Sequence, residues 1–234
     1  LNCYPHTIGL SLYSVEPEVH EKITRVPGSC KKTMAIAEKF SKDGVGMLLK
    51  CPIMRINKDS YRAIYDYAIS INAVPEFEVN ITSSVEGDNY AVNNLRLTED
   101  EMLVLLKDPI IPLSTERKNI SRYMERPLDM GFCGAGIDGM NIKPNGEVSP
   151  CIAFTAPCGN VKTQRIEEIW KNSETLKRVR KLTYGDSDRC GRESYCKYCN
   201  RCIGQSCTEH GVPENYSTDN CFIAKIREKL SKNK

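Results

Sequence analysis

Apolar and polar residues alternate from Thr7 to Tyr13 (TIGLSLY), the two-residue period of a strand. The period lengthens from Ser29 to Asp43, where Ala35, Ile36 and Phe40 line one side of a predicted helix and Gly44 is placed to stop it. Val45–Met54 is a second strand, apolar enough to be buried on both faces. Asn57 is placed to cap a helix from Lys58 to about Asn72, striped by Ile64, Tyr67, Ala68 and Ile71. Glu76–Thr82 (EFEVNIT) reads as a third strand, and Thr98–Glu99–Asp100–Glu101 as a capping box opening a helix to about Lys107. Strands alternating with helices predict an α/β fold with parallel strands and right-handed crossovers. Three such strands are a fragment of a sheet, because alone they leave edges and one face of each strand uncovered. The sequence starts at Leu1 and not at a Met, so more of a barrel is expected upstream.

The pattern changes near Leu128, which divides the chain into an expected barrel part with connecting helix (1–127) and a small cysteine-rich α+β part (128–234). Met140–Ile142 and Glu147–Ile152 flank Lys143–Pro144–Asn145–Gly146, where Pro presets a turn and Gly146 accepts the positive φ of a short hairpin. Ile166–Leu182 predicts one helix, with Ile169, Trp170 and Leu176 as core candidates. Cys190–Cys207 is too polar and Gly-broken for a regular element, and is expected to order as a loop around a metal. A terminal helix over Ile223–Leu230 ends in a basic tail of Lys229, Lys232 and Lys234, favoured by the helix dipole.

With 40% hydrophobic residues and a net charge of +3, the chain has the composition of a globular domain and no basic field suited to nucleic acid. No apolar run reaches the roughly 18–20 residues that span a bilayer, and no signal peptide opens the sequence. A cytoplasmic location without membrane attachment is therefore expected.

The chemistry lies in the cysteines. Nine of the twelve fall from Cys133 onward: Cys133, Cys151, Cys158, Cys190, Cys196, Cys199, Cys202, Cys207 and Cys221. A disulfide framework suits short secreted chains with little core, so metal thiolates fit better. A structural zinc and a 4Fe–4S cube each take four ligands, so nine thiolates suffice for two of either, and spacing does not separate them. Cys3, Cys30 and Cys51 read as small buried hydrophobes or free thiols. His20 and His210 lack a second histidine at ligand spacing, which leaves surface or supporting roles.

Cys133-x12-Gly146-x4-Cys151, the knot around Cys199 and Cys202, and the late Cys221 resemble the SPASM domain, the C-terminal extension of many radical S-adenosylmethionine (SAM) enzymes that modify peptides and proteins. The phrases IKPNGEVSPCIAF (Ile142–Phe154), GNV (Gly159–Val161), EIW (Glu168–Trp170), YCNRC and EHG resemble the thioether-forming peptide maturases of that group. Upstream, Ile8–Ser29, Leu48–Asn57 and Glu76–Asp88 resemble the fourth to sixth strands of a radical SAM barrel. The CxxxCxxC loop that ligates the SAM cluster in that family has no counterpart, since Cys3, Cys30 and Cys51 are too far apart. The resemblance thus implies the C-terminal two-thirds of such an enzyme, unable by itself to cleave SAM.

Two auxiliary 4Fe–4S clusters follow from the resemblance, with SAM and a third cluster only in the complete enzyme. Cys133, Cys151 and Cys202 would hold the first, its fourth site open or filled by Cys158 or Cys207. Cys190, Cys199 and Cys221 would hold the second. The usual Cys-x2-Cys-x5-Cys-x2-Cys order places Glu193 where its remaining cysteine belongs, and Cys196 is the replacement at hand. Ser11 matches the strand residue that contacts the SAM ribose, and Lys50 stands where it could meet a carboxylate of SAM or substrate; an ordinary strand serine and a snorkelling lysine are the alternatives. The implied partners are a peptide or protein substrate and a reductase or other electron donor. Two other classes stay open: an iron–sulfur electron-transfer or peptide-binding module without radical chemistry, and a zinc-binding interaction domain.

Overall fold

The computed structural model describes residues 5–84, 89–111, 127–154 and 156–232. Cys3 lies outside them. The chain divides into two compact units, one within 1–81 and 92–117 and the other within 82–91 and 118–234.

The first unit is built on three parallel strands, β1 (Thr7–Ser11), β2 (Gly46–Pro52) and β3 (Val74–Glu78), in that spatial order. Between them run α1 (Pro17–Thr24), which the sequence pattern did not reveal, α2 (Ser29–Lys42) and α3 (Tyr61–Ser70). The α/β expectation is met. The expectation that the second strand is buried on both faces is not: Met47, Leu49 and Cys51 are buried, whereas Gly46 and Lys50 on the other face are exposed. The helices account for this. Within the unit, α2 packs on β1 and β2, and α3 on β3, and they bring Ala37, Ile64 and Ala68 into the same core as Leu49 and Phe77. In-register pairing lines up Ser11, Lys50 and Glu76 across the three strands on the open face.

Asn57 does not cap α3; Ser60 holds the N-cap position. The Asn57 side chain is only 2% exposed, and it accepts a hydrogen bond from Met54 N–H (2.7 Å) and donates to the carbonyls of Tyr13 (3.0 Å) and Pro52 (3.1 Å). It therefore staples the chain where it leaves β1 to the chain where it leaves β2, satisfying backbone groups that would otherwise be buried unpaired. His20 is buried and not at the surface, with its Nδ1 accepting the Tyr13 N–H at 3.2 Å. Burial lowers its pKa, against the opposing pull of Glu21, which keeps the ring a neutral acceptor. A short helix, α4 (Tyr90–Leu95), precedes α5 (Glu99–Leu105). The capping box of α5 is formed: Glu101 N–H donates to Thr98 Oγ1 (3.2 Å) and Thr98 N–H to the Glu101 carboxylate (2.9 Å), an arrangement worth about 1 kcal/mol.

The second unit carries a small antiparallel sheet of β4 (Asn141–Ile142), β5 (Glu147–Ser149) and β6 (Gly159–Asn160). Gly146 takes φ 86° in the turn joining the first two, as the sequence requires. The single helix expected over Ile166–Leu182 is two, α6 (Ile166–Asn172) and α7 (Glu174–Lys181). Ser173 breaks it by taking an extended ψ of 123°, and its hydroxyl accepts the Leu176 N–H at 3.5 Å to start α7. Ile169 and Leu176 are buried, while Trp170 stacks under the Arg180 guanidinium at 4.3 Å. Cys190–Cys207 is not irregular throughout. It holds a 3-10 turn at Ser194–Tyr198 and most of α8 (Ile203–His210), and α9 (Thr218–Lys232) follows. Apolar periodicity missed the 3-10 turn and α8 because polar contacts pin them, whereas α9 contains the terminal helix expected over Ile223–Leu230. Glu209 accepts from Ser217 O–H (2.9 Å) and Thr218 N–H (2.6 Å), and Asn220 donates to the Gln205 side chain, which ties α8 to the start of α9.

Candidate metal centres

Four cysteines gather where α9 meets the 3-10 turn. Cys196 lies in that turn, Cys199 directly follows it, and Cys221 sits in the first turns of α9; all three share one buried cluster with Tyr195 and Ala224. Cys190 joins them, close enough to interact electrostatically with Cys196, Cys199 and Cys221. The chain reaches this point through Ser187, whose hydroxyl accepts the Cys190 N–H at 3.2 Å. The Cys199 thiol donates a hydrogen bond to Cys221 sulfur. That bond draws the Cys221 pKa down to about 7 against burial, with Arg189 and Lys225 adding to it, and holds Cys199 as the thiol. The start of a helix also favours negative charge. Of the pair, Cys221 is thus the thiol whose ionisation is favoured, and the thiolate is the form in which cysteine binds metal.

The other group forms around α8. Cys202 precedes the helix and Cys207 lies within it. Cys151 interacts with both Cys202 and Cys133, and Cys207 interacts with Cys151 and Cys202. Burial pushes Cys151, Cys202 and Cys207 up, Cys207 to about 11. Backbone N–H groups of Ala153 and Phe154 at Cys151, and of Gly204 and Gln205 at Cys202, partly counter this. Gly204 is what lets α8 approach: a Cβ there would stand 2.7 Å from the carbonyl of Ala153. Cys133 is exposed and shares a cleft of about 470 Å³ with Met140, Asn141, Pro150, Cys151 and Ile152.

Cys158 stands apart from both groups. Its surroundings are Ser173 and Arg180, which oppose the upward push of burial. Cys30 and Cys51 are buried in the first unit, as the sequence suggested. Ser11 and Lys50 sit side by side near the C-terminal ends of their strands, the end at which parallel α/β sheets bind ligands. Lys50 pairs with Glu76 at 3.4 Å and lies over Gly9, whose missing side chain makes room for it. His210 lies beside Glu209 at 3.6 Å, and among the described residues it belongs to no group of three possible metal ligands.

Among the described residues, no three Cys, His, Asp or Glu side chains converge tightly enough to hold one metal ion. A 4Fe–4S cube places each thiolate on a different iron, so its ligands stand farther apart than those of a single ion. Two groups of four thiols, buried in part and close enough to sense one another, fit that donor set in number and kind.

Residues 133–203 match the SPASM iron–sulfur cluster-binding domain. The chain is 22% identical over 224 residues to the AdoMet-dependent heme synthase of Oleidesulfovibrio alaskensis, covering 86% of this chain and 58% of that protein. It is 27% identical over 212 residues to the antilisterial bacteriocin subtilosin biosynthesis protein AlbA of Bacillus subtilis, covering 82% of this chain and 44% of that protein. The chain thus spans about half the length of these relatives. Among solved structures, anSMEcpe with bound AdoMet shares the fold at TM-score 0.63, with 15% identity, 97% of this chain and 66% of that chain. SuiB of Streptococcus suis bound to S-adenosylmethionine shares it at TM-score 0.53, with 15% identity, 92% of this chain and 53% of that chain. The expected resemblance therefore holds: the chain shares the fold of the radical SAM/SPASM proteins, and its residues 133–203 match the SPASM iron–sulfur cluster-binding domain.

Proposed function

We propose that this polypeptide is the auxiliary-cluster part of a radical SAM/SPASM enzyme that modifies a ribosomally made peptide or a protein. The observation that carries the reading is the sorting of eight cysteines into two foursomes inside and beside the SPASM segment. Cys190, Cys196, Cys199 and Cys221 would hold one 4Fe–4S cluster, and Cys133, Cys151, Cys202 and Cys207 the other. When bound, such clusters supply one-electron redox chemistry at potentials set by their surroundings. The protein's own part is to hold the thiols at fixed spacing, exclude water from all but the Cys133 side, and present a substrate surface there.

A peptide substrate is supported by the structural relatives, since SuiB has been seen bound to its precursor peptide SuiA and anSMEcpe to peptides. In this chain the cleft beside Cys133 and Cys151 suits that role, and its rim carries Ile152, 83% exposed. Ser11 and Lys50, on the open face of the parallel strands, would meet SAM in the complete enzyme. The 234 residues contain no CxxxCxxC, so SAM cleavage would need that loop from elsewhere.

The assignment of Cys207 as the fourth ligand of the first cluster, with Cys158 outside it, has a sharp test. Cys207→Ala is expected to lower the iron content of the anaerobically reconstituted chain from about eight to about four, while Cys158→Ala keeps the wild-type content. Iron loss in Cys158→Ala with full iron in Cys207→Ala would reverse the assignment.

A further inference from the structure

Arg201 is a buried cation with unused donors. It lies between Cys199 of one foursome and Cys202 of the other, and it is 6% exposed. One nitrogen is satisfied, since Nη2 donates to the carbonyls of Pro213 and Asn215, both at 2.7 Å. Nε and Nη1 are buried without a hydrogen-bond partner. Asp186 feels the charge, but its carboxylate is taken by the N–H and O–H of Thr183 at 2.8 and 2.9 Å. The guanidinium lies over the ring of Phe132, 3.5 Å from its centroid, which fixes its plane. Cys190, Cys199 and Cys221, all of one foursome, are the thiols close enough to interact with it.

Burying a guanidinium with two N–H groups unpaired is costly, and such groups persist when something answers them. Among the described residues no hydrogen-bond acceptor answers these two. A negatively charged cluster on the adjacent thiolates would, and sulfur is an acceptor. We propose that Arg201 donates hydrogen bonds to the cluster held by Cys190, Cys196, Cys199 and Cys221, supplies its counter-charge, and thereby raises its reduction potential. On reduction one electron from an external donor enters the cluster, no proton moves, and the added negative charge is stabilised by the fixed cation and its donors. The planar fork can serve the Pro213 and Asn215 carbonyls with one nitrogen and the cluster with the others, which a lysine ammonium cannot do in the same geometry. The inference rests on the two-cluster reading above.

The test is an EPR-monitored redox titration of the full chain, reconstituted anaerobically and reduced with dithionite. The relevant signal is the one that Cys221→Ala abolishes. Arg201→Met is expected to lower the potential of that signal by about tenfold in the one-electron equilibrium, ~59 mV, and to leave the other cluster's potential in place. Arg201→Lys, which keeps the charge and loses the fork, is expected to fall between Met and wild type. An unchanged potential in Arg201→Met at full iron content would overturn the proposal. If the Met variant loses iron, Arg201→Lys decides, and a wild-type potential there would overturn it equally. Fewer than about eight irons in the wild-type chain would instead mean that the two-cluster reading itself has failed.

Discussion

Replacing Cys221 by alanine is expected to remove about half of the iron and sulfide from the anaerobically reconstituted chain, from about eight irons to about four. Replacing Cys202 is expected to remove the other half. The residual EPR signals of the two variants should differ and should add up to that of wild type. Cys199 and Cys202 are separated by only two residues, yet Cys199 faces Cys221 on α9 while Cys202 interacts with Cys151 and Cys133. Consecutive ligands in the sequence therefore go to different groups. Were all the thiols to serve one centre, either substitution would damage the same signal. Losing a single ligand from a four-thiolate site removes the charge balance and the geometry together, so a graded loss of a few per cent is not expected.

The second large effect concerns a residue with no ligand atom. Gly204→Val is expected to remove the Cys133–Cys151–Cys202–Cys207 cluster while sparing the other. A Cβ at this position would meet the carbonyl carbon and oxygen of Ala153 at 2.7 Å, and the obstacle is backbone rather than a side chain able to swing away. The N-terminal end of α8 would have to retreat from the Cys151–Phe154 loop, carrying Cys202 and Cys207 from Cys151. Overpacking of this kind costs about 1–3 kcal/mol. Gly211→Ala provides the comparison, because Gly211 ends α8 at φ 79° with nothing within 4 Å of an added Cβ. It too should lower the unfolding temperature, by strain of about 1 kcal/mol, but its iron content should stay near wild type. Thermal unfolding and iron analysis on both variants separate a loss of stability from a loss of the site. Equal iron loss in the two would show that α8 matters only through overall stability.

How far the sequence alone carries can be seen at particular residues. The parallel strands, the capping box at Thr98 and the Gly146 hairpin were legible because each depends on local periodicity or on a single backbone requirement. Helix α1 was not, because PEVHEKIT holds few apolar residues and its one buried side chain is His20. Ser173 was hidden inside a helical period that it interrupts by capping the next helix. Asn57 has the residue type of a cap, yet it serves as a staple, because the groups it satisfies at Tyr13 and Pro52 are distant in sequence. The cysteine foursomes were half legible. Their number and crowding are plain in the sequence, but the place of Cys196 with Cys190, Cys199 and Cys221 depends on α9 folding back onto the 3-10 turn. Arg201 carried no signal of its own; only its burial and its unpaired nitrogens mark it.

Eight of the nine late cysteines are expected to hold two four-iron clusters, with Cys158 left over. Mössbauer spectroscopy on the ⁵⁷Fe-reconstituted wild-type chain, with iron, sulfide and zinc measured on the same sample, tests this most directly. The expected result is about eight irons per chain, sulfide equal to iron, and essentially all iron in the 4Fe–4S form. Stoichiometric zinc with no sulfide would contradict it, and would make the cysteine knot a structural zinc domain.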